Sequence, residues 1–263
     1  MSATLVCDLD GVVYLGEMEI PGAGDALGRA EAAGWTILFA TNNSSRPPAR
    51  VVDKLADVAG YKAEVGQIVT SAMVAGSLVR RGPVMVMAEH GVEESVVENG
   101  FELTDDPVAA ATVVAGLDRG ISYDRIHRAA AAVRAGAEFI VTNRDPTFPT
   151  EQGLYPGAGA CAAAVEAAAG VVGVTAGKPS DAMRRFIEER SAPGPIWMVG
   201  DRPDTDLALA VGERWRSALV LTGVTSTPTG IDPLPDLVAP DLPTAVDEIL
   251  ASTDEAERPR REV

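Results

Sequence analysis

The sequence predicts an α/β fold: a doubly wound, Rossmann-like parallel sheet core with an inserted α/β cap domain. Short apolar runs alternate with Ala-rich segments of helical period along most of the chain, and the runs are apolar at nearly every position. Near-continuous apolar runs are typical of parallel strands that are covered on both faces. Strand–helix alternation of this kind indicates a mostly parallel sheet.

The elements follow from these runs. The predicted strands are Thr4–Cys7, Thr36–Ala40, Val84–Met87, Thr112–Ala115, Glu138–Val141, Ile196–Val199 and Ala218–Leu221. The predicted helices are Ala23–Ala33, Ala49–Ala59, Ala72–Arg80, Asp124–Ala135, Ala158–Ala168, Asp181–Glu189 and Thr205–Val211. Each helix lies between strands, as parallel connections require.

The stretch 83–172 has its own strand–helix alternation, and the motifs outside it remain complete without it. We therefore predict that 83–172 is the cap and that 1–82 and 173–251 form one discontinuous core. Residues 252–263 are mostly polar or charged, which predicts a disordered tail.

The chain of 263 residues has a net charge of −16. A surface this acidic repels phosphate backbones, so we expect no nucleic acid partner. The sequence shows no charged-then-apolar leader and no apolar run of about 18 residues, so we expect no membrane association and a cytoplasmic location. Cys7 and Cys161 lie in apolar surroundings and are expected to be buried, reduced thiols.

Two carboxylates, Asp8 and Asp10, follow the first predicted strand. Alternate side chains of a strand point the same way, so both project toward one site if strand geometry persists. Their mutual repulsion favours a cation between them, and a hard cation such as Mg²⁺ prefers oxygen ligands. The alternative is a pair that caps a loop.

A second acidic cluster, Gly200-Asp201-Arg202-Pro203-Asp204-Thr205-Asp206, follows the predicted strand Ile196–Val199. Mg²⁺ again explains acidic groups at the carboxyl end of a strand. The alternative is an Asp-rich turn that caps the next helix.

Two further segments provide donors without negative charge. Thr41-Asn42-Asn43-Ser44-Ser45 follows a strand, and its hydroxyl, amide and N–H groups suit phosphate oxygens. It can equally cap the helix that starts near Pro47, and both roles are compatible. In Gly177-Lys178-Pro179-Ser180, Pro179 favours an extended Lys178 and Ser180 is typical of an N-cap, so Lys178 is a candidate fixed cation before a helix.

The four segments, in this order, resemble the four motifs of the haloacid dehalogenase-like superfamily. The forms DLDGVVY, TNNSS and GDRPDTD are similar to its p-nitrophenylphosphatase-like branch (subfamily IIA), as are the cap segments 114–118, 139–145 and 155–159. The resemblance extends to about Leu250. It departs at Arg144, where many relatives have proline, and this affects the expected substrate pocket.

The resemblance implies a Mg²⁺-dependent phosphatase of small phosphorylated metabolites. Asp8 would be the nucleophile that forms an aspartyl phosphate, and Asp10 the acid and base. The metal ligands would be Asp8, Asp201 and the backbone carbonyl of Asp10. Asp206 would orient the waters of the metal, or Lys178.

The resemblance also assigns the remaining site residues. Thr41, Asn42 and Lys178 would bind the phosphate oxygens, and Asn43 would support that loop or contact phosphate through its backbone. The cap would close over the site and form a homodimer interface. The cap residues expected near the leaving group are Asn143, Arg144 and Asp145.

The expected substrate is glycerol 3-phosphate or a similar short polyol or hydroxy-acid phosphate. Two alternatives remain open: a phosphotransferase or mutase of the same superfamily, and a catalytically inactive phosphate-binding protein. The intact pair Asp8 and Asp10 argues against the inactive protein. His90 and His127 lie outside the motifs, so the sequence does not favour histidine catalysis or a His-rich zinc site.

Overall fold

The computed structural model describes residues 2–150 and 152–257. The strands, in chain order, are β1 (Thr4–Cys7), β2 (Tyr14–Leu15), β3 (Met18–Glu19), β4 (Thr36–Thr41), β5 (Ile68–Thr70), β6 (Val84–Met87), β7 (Thr112–Ala115), β8 (Glu138–Val141), β9 (Thr147–Thr150), β10 (Gly153–Pro156), β11 (Val174–Thr175), β12 (Ile196–Gly200), β13 (Trp215–Val220) and β14 (Leu237–Ala239). The α-helices are α1 (Ala23–Ala32), α2 (Pro48–Ala59), α3 (Ser71–Leu78), α4 (His90–Glu98), α5 (Tyr123–Arg134), α6 (Ala158–Ala169), α7 (Asp181–Glu188) and α8 (Leu242–Glu257).

The structure contains a strand at each predicted position. The predicted strand Ala218–Leu221 differs most from the observed one, since β13 already begins at Trp215. Polar residues interrupt the apolar ones at the start of β13, so this part of the strand was not recognised in the sequence. The predicted helix Thr205–Val211 is present with shifted bounds: Pro203–Leu207 form a short π-helical turn, and residues 208–209 continue it as α-helix. Helices α4 and α8 were not predicted, although the buried residues Leu242, Ala245, Val246 and Ile249 of α8 follow the helical period.

The described residues divide into two compact units. The first comprises those within 1–40, 52–67 and 187–263. Its strands form a parallel sheet in the order β14-β13-β12-β1-β4. Helices α1 and α8 pack together, and Arg29 of α1 donates to Asp247 of α8 at 2.8 Å. Chain order changes direction beside β1, where ligands bind in sheets of this type.

The second unit comprises residues 41–51 and 68–186. Its parallel sheet has the order β11-β8-β7-β6, and β9 and β10 form a separate antiparallel hairpin. Helices α5 and α6 pack together against this sheet, over a buried cluster that includes Met87, Val113, Phe139 and Val165. Both units therefore confirm the predicted α/β class with parallel sheets.

The boundaries of the core (1–82 and 173–251) and the cap (83–172) remain a prediction. Helix α8 extends to Glu257, so the predicted tail 252–263 is helical as far as residue 257. Residues 258–263 lie outside the described residues. Among the residues that are described, no helix has both the length and the apolar character needed to cross a membrane.

Both cysteines are buried free thiols, as predicted. Burial, reinforced by the neighbouring Asp8 carboxylate, raises the pKa of the Cys7 thiol well above its usual range. Burial likewise raises the pKa of the Cys161 thiol. Both groups therefore remain protonated near neutral pH, and we assign them to packing.

Candidate active site

Two predicted carboxylates lie at one edge of the sheet in the first unit. Strand β1 pairs with β12 in parallel register, Cys7 opposite Val199, and the Asp8 N–H donates to Val199 O at 2.9 Å. Asp8 directly follows β1, and Asp201 directly follows β12. Because neighbouring parallel strands end at the same edge, these two acidic residues are brought together, as the sequence predicted.

The π-helical turn adds a third carboxylate, that of Asp206. Its side chain is fully buried, and Oδ2 accepts a hydrogen bond from the Arg202 N–H at 3.1 Å. The Asp206 N–H in turn donates to Arg202 O at 2.8 Å. This reciprocal contact fixes Asp206 within the turn that follows Asp201.

Asp8, Asp201 and Asp206 each offer one carboxylate oxygen, and these oxygens lie within 4.8 Å of one another. Asp201 and Asp206 are only 1% and 0% exposed, and Asp8 is 9% exposed. Three acidic groups held this close and largely out of water favour a compensating cation. An all-oxygen, carboxylate-rich set fits a hard divalent cation such as Mg²⁺.

The role expected for Asp206 stays a prediction. The sequence suggested that it orients the waters of the metal or Lys178, and the proximity of its carboxylate to those of Asp8 and Asp201 is compatible with this role and also with direct binding of the metal. Asp10 is exposed, and it lies in the turn that follows β1 instead of in the strand. Its expected contribution of a backbone carbonyl to the metal stays a prediction.

The turn that presents Asp10 is tightly hydrogen-bonded. The carbonyl oxygen of Leu9 accepts from the N–H groups of Val12 and Val13 at 3.2 and 2.9 Å. The Gly11 N–H donates to Tyr14 O at 2.8 Å, and the Thr222 hydroxyl donates to Gly11 O at 2.6 Å. The backbone on both sides of Asp10 is thus anchored, while its carboxylate remains accessible to solvent.

In the second unit, the polar loop at 41–45 is organised by its own side chains. Thr41 Oγ1 accepts from the Asn43 N–H at 3.0 Å, and Asn43 Oδ1 accepts from the Ser45 N–H at 3.0 Å and from the Ser45 hydroxyl at 2.7 Å. Thr41 is buried and Asn43 is exposed. The side-chain amide oxygen of Asn43 therefore supports the loop, in agreement with one of its two expected roles.

Lys178 is 3% exposed, which is unusual for a lysine. The Ser180 hydroxyl accepts from the Met183 N–H at 3.1 Å, which confirms Ser180 as the cap of α7. The Asn42 side chain binds the backbone of Lys178, and its Oδ1 accepts from the Lys178 N–H at 2.7 Å. The second unit thus brings together two of the residues predicted to bind phosphate, Asn42 and Lys178.

The predicted substrate residues of the cap divide into two groups. Asn143 and Asp145 contact Asn42: Asn143 Nδ2 donates to Asn42 O at 2.6 Å, and Asn42 Nδ2 donates to Asp145 Oδ2 at 3.2 Å.

The guanidinium of Arg144 instead binds groups near the end of the cap. It donates to Glu166 Oε1 at 2.6 Å, to Thr175 Oγ1 at 2.9 Å and to Gly173 O at 2.7 Å. These three contacts support a role for Arg144 in holding its own loop.

Two residues that contact the predicted site residues were not predicted from the sequence. The Ser71 hydroxyl donates to Asn42 O at 2.6 Å, and Glu166 anchors Arg144. Neither lies in a motif, and no local signal indicates them, because their partners are distant in sequence. His90 pairs with Glu93 and Glu94 on the surface, and His127 is exposed.

The sequence of this chain is similar to those of known phosphatases and hydrolases. The haloacid dehalogenase-like hydrolase family matches residues 5–102, and a HAD-hydrolase-like family matches residues 175–245. An acid sugar phosphatase from Staphylococcus saprophyticus is 34% identical over 83% of this chain and 86% of its own. A 5′-nucleotidase from Bacillus subtilis is 36% identical over 83% of this chain and 86% of its own.

Solved phosphatase structures are also similar to this chain. A glycerol phosphate phosphatase from Mycobacterium tuberculosis, crystallised in complex with magnesium, aligns with a TM-score of 0.85 at 32% identity. That alignment covers 92% of this chain and 76% of the other. The motifs, the two parallel sheets and these relatives agree, and the chain belongs to the haloacid dehalogenase-like hydrolases, in their p-nitrophenylphosphatase-like branch.

Proposed function

We propose that this chain is a Mg²⁺-dependent phosphatase that hydrolyses the phosphomonoester of a small metabolite through an aspartyl phosphate on Asp8. The observation that carries the proposal is the buried cluster of Asp8, Asp201 and Asp206 at the carboxyl end of β1 and β12. Asp8 is the member of the cluster with the greatest exposure, as a nucleophile requires. The phosphatase relatives support the same reaction class.

In the first half of the reaction, a carboxylate oxygen of Asp8 attacks phosphorus, and the bond from phosphorus to the ester oxygen breaks. Asp10 donates its proton to that leaving oxygen, which is a poor leaving group without an acid. In the second half, water attacks the aspartyl phosphate while Asp10 accepts its proton, and Asp8 and inorganic phosphate are released. The exposed carboxylate of Asp10 and its anchored backbone suit this exchange of protons.

Asp8, Asp201 and Asp206 would hold the metal ion, and the carbonyl of Asp10 is a further predicted ligand. When bound, Mg²⁺ offsets the negative charge of the carboxylates and of the phosphate, which otherwise repel each other. Asp201 is oriented for this role by its backbone contacts, since the Val224 N–H donates to its Oδ2.

The phosphate oxygens are assigned to Thr41, to Lys178 and to the backbone of Asn42 and Asn43. Burial of the Lys178 ammonium strengthens its attraction to an anion, because little water screens it. The hydroxyl of Thr41 and the backbone of the loop are neutral donors that suit the same anion.

The substrate is proposed to be glycerol 3-phosphate or a similar short polyol or hydroxy-acid phosphate. A glycerol phosphate phosphatase is among the similar structures, although relatives named for sugar phosphates and nucleotides are equally similar. The cap residues Asn143, Arg144 and Asp145 are proposed to lie near the leaving group, with Arg144 acting through its loop. A homodimer through the cap and a cytoplasmic location belong to the same proposal.

The test is phosphate release from p-nitrophenyl phosphate and a panel of small phosphate esters, with Mg²⁺ and with EDTA, for the wild type and Asp8→Asn. The amide preserves shape but removes the nucleophile and one metal-binding charge. We expect Mg²⁺-dependent release that falls by at least about 10³-fold in the variant. Undiminished release by Asp8→Asn would overturn the assignment of the nucleophile.

A further inference from the structure

The side-chain amide of Asn42 makes a two-point contact with the backbone of Lys178. Its Oδ1 accepts from the Lys178 N–H at 2.7 Å, and its Nδ2 donates to the Lys178 carbonyl oxygen at 3.2 Å. Because an oxygen faces the donor and a nitrogen faces the acceptor, only one orientation of the amide satisfies both contacts. The backbone from which the lysine side chain extends is therefore held on both sides.

The remaining groups of Asn42 are engaged as well. Nδ2 also donates to Asp145 Oδ2 at 3.2 Å, so each of its two hydrogens has an acceptor. The Asn42 carbonyl oxygen accepts from Asn143 Nδ2 and from the Ser71 hydroxyl, both at 2.6 Å. The side-chain donors of Asn42 are thus directed to protein groups of the second unit.

The close approach depends on the residue before the lysine. A Cβ added to Gly177 would lie 2.5 Å from Asn42 Oδ1 and 2.6 Å from the carbonyl oxygen of Thr142. Only glycine leaves room for the amide at this distance. The Gly177 N–H meanwhile donates to Thr142 O at 2.7 Å, which secures the same segment from the cap side.

We propose that the side chain of Asn42 is a positioning residue for Lys178 and does not itself bind the phosphate. A lysine side chain is a flexible stem with four rotatable bonds, so a fixed backbone limits the region that the buried ammonium can reach. The amide would connect the cap residue Asp145 to the placement of that ammonium. This inference rests on the proposed function, in which Lys178 binds phosphate.

The inference is tested by a double-mutant cycle of Asn42→Ala and Lys178→Ala in the full chain with Mg²⁺. Two quantities are measured: kcat/KM for p-nitrophenyl phosphate, and the affinity for inorganic phosphate by calorimetry. If Asn42 acts through Lys178, Asn42→Ala lowers both about tenfold in the wild type and less than about twofold in the Lys178→Ala background. Equal losses in the two backgrounds would show an independent contact with phosphate and overturn the inference.

The two readouts separate this inference from the proposed function. Phosphate affinities that show the coupling, in a protein that hydrolyses no ester, would refute the function and retain the positioning role. If the protein hydrolyses esters but Asn42→Ala lowers phosphate affinity equally in both backgrounds, the proposed function is retained and the positioning role is refuted. If thermal melting shows that Asn42→Ala is unfolded, the isosteric Asn42→Asp takes its place, since it removes the donor to Lys178 and Asp145.

A matched control is available in the same unit. Asn99 Nδ2 donates to the backbone oxygen of Ser95 in α4 at 2.8 Å, so Asn99→Ala also removes a side-chain amide bonded to backbone. We expect Asn99→Ala to leave kcat/KM and phosphate affinity within about twofold of the wild type. A tenfold loss in Asn99→Ala would attribute the effect of Asn42→Ala to general loosening and overturn the inference.

Discussion

A carboxylate oxygen of Asp201 occupies the space that a side chain on Gly11 would require. A Cβ added to Gly11 would lie 2.6 Å from Asp201 Oδ2, and the φ of Gly11 is +88°, in the region that side chains disfavour. The glycine after Asp10 is therefore needed twice, once for its backbone conformation and once so that the two acidic segments can meet. This relationship connects the first and the last motif of the chain.

Gly11→Ala is expected to weaken the metal site. The added methyl group must displace the Asp201 carboxylate, so we expect the Mg²⁺ concentration for half-maximal phosphatase activity to rise at least about tenfold. Gly16→Ala is the control, because Gly16 has a φ of +58° but nothing within 4 Å of its added Cβ. Equal responses of the two variants would attribute the effect to backbone strain alone.

Asp206→Asn tests whether Asp206 belongs to the metal site. Loss of one buried anionic oxygen from the cluster is expected to lower Mg²⁺ affinity by about 10–100-fold, measured by calorimetry. Asp204→Asn is the control, since the Asp204 side chain is 69% exposed and pairs with Arg202 on the surface. Unchanged Mg²⁺ affinity in Asp206→Asn would remove this residue from the site.

Arg144→Ala is expected to destabilise the protein by about 1–3 kcal/mol in denaturant unfolding, because Glu166 is left partly buried without its cation. Arg119→Ala removes a more exposed pair with Glu89 and is expected to cost about 0–1 kcal/mol. If the two variants lose the same stability, the contacts of Arg144 with Thr175 and Gly173 contribute nothing measurable.

The phenol of Tyr61 makes the stability of the folded state depend on pH. Burial, with a further contribution from the nearby Glu31 carboxylate, raises the pKa of Tyr61 to about 12, from about 10 in an unfolded chain. The folded state holds this proton more tightly, so the contribution to stability is complete below about pH 10 and is lost as the pH rises toward 12.

The measurement is the denaturant midpoint of the wild type and of Tyr61→Phe between pH 9 and about pH 12, read by circular dichroism. We expect the midpoint of the wild type to fall more steeply in this range than that of Tyr61→Phe. In parallel, ultraviolet absorbance should show a late phase of tyrosine ionisation that is missing in the variant. Parallel stability curves would contradict the raised pKa of Tyr61.

Much of the fold could be predicted from the sequence, because the signals for its strands lie within short segments of the chain. Strands such as β6 and β7 are continuous apolar runs, and burial on both faces makes such runs recognisable without knowledge of their partners. The motifs were recognisable in the same way, because parallel strands place their carboxyl ends at a shared edge. The proximity of Asp8 and Asp201 could therefore be predicted before the pairing of β1 with β12 was known.

The detailed roles of the side chains were decided by tertiary structure. The sequence alone determined the fold class, the family and the acidic residues available for a metal ion. It did not determine that Asp206 joins the acidic cluster, that Arg144 binds Glu166, or that Asn42 holds Lys178. The physical reason is that a hydrogen bond depends on the position and orientation of its partner, and the partner of Asn42 lies 136 residues away along the chain.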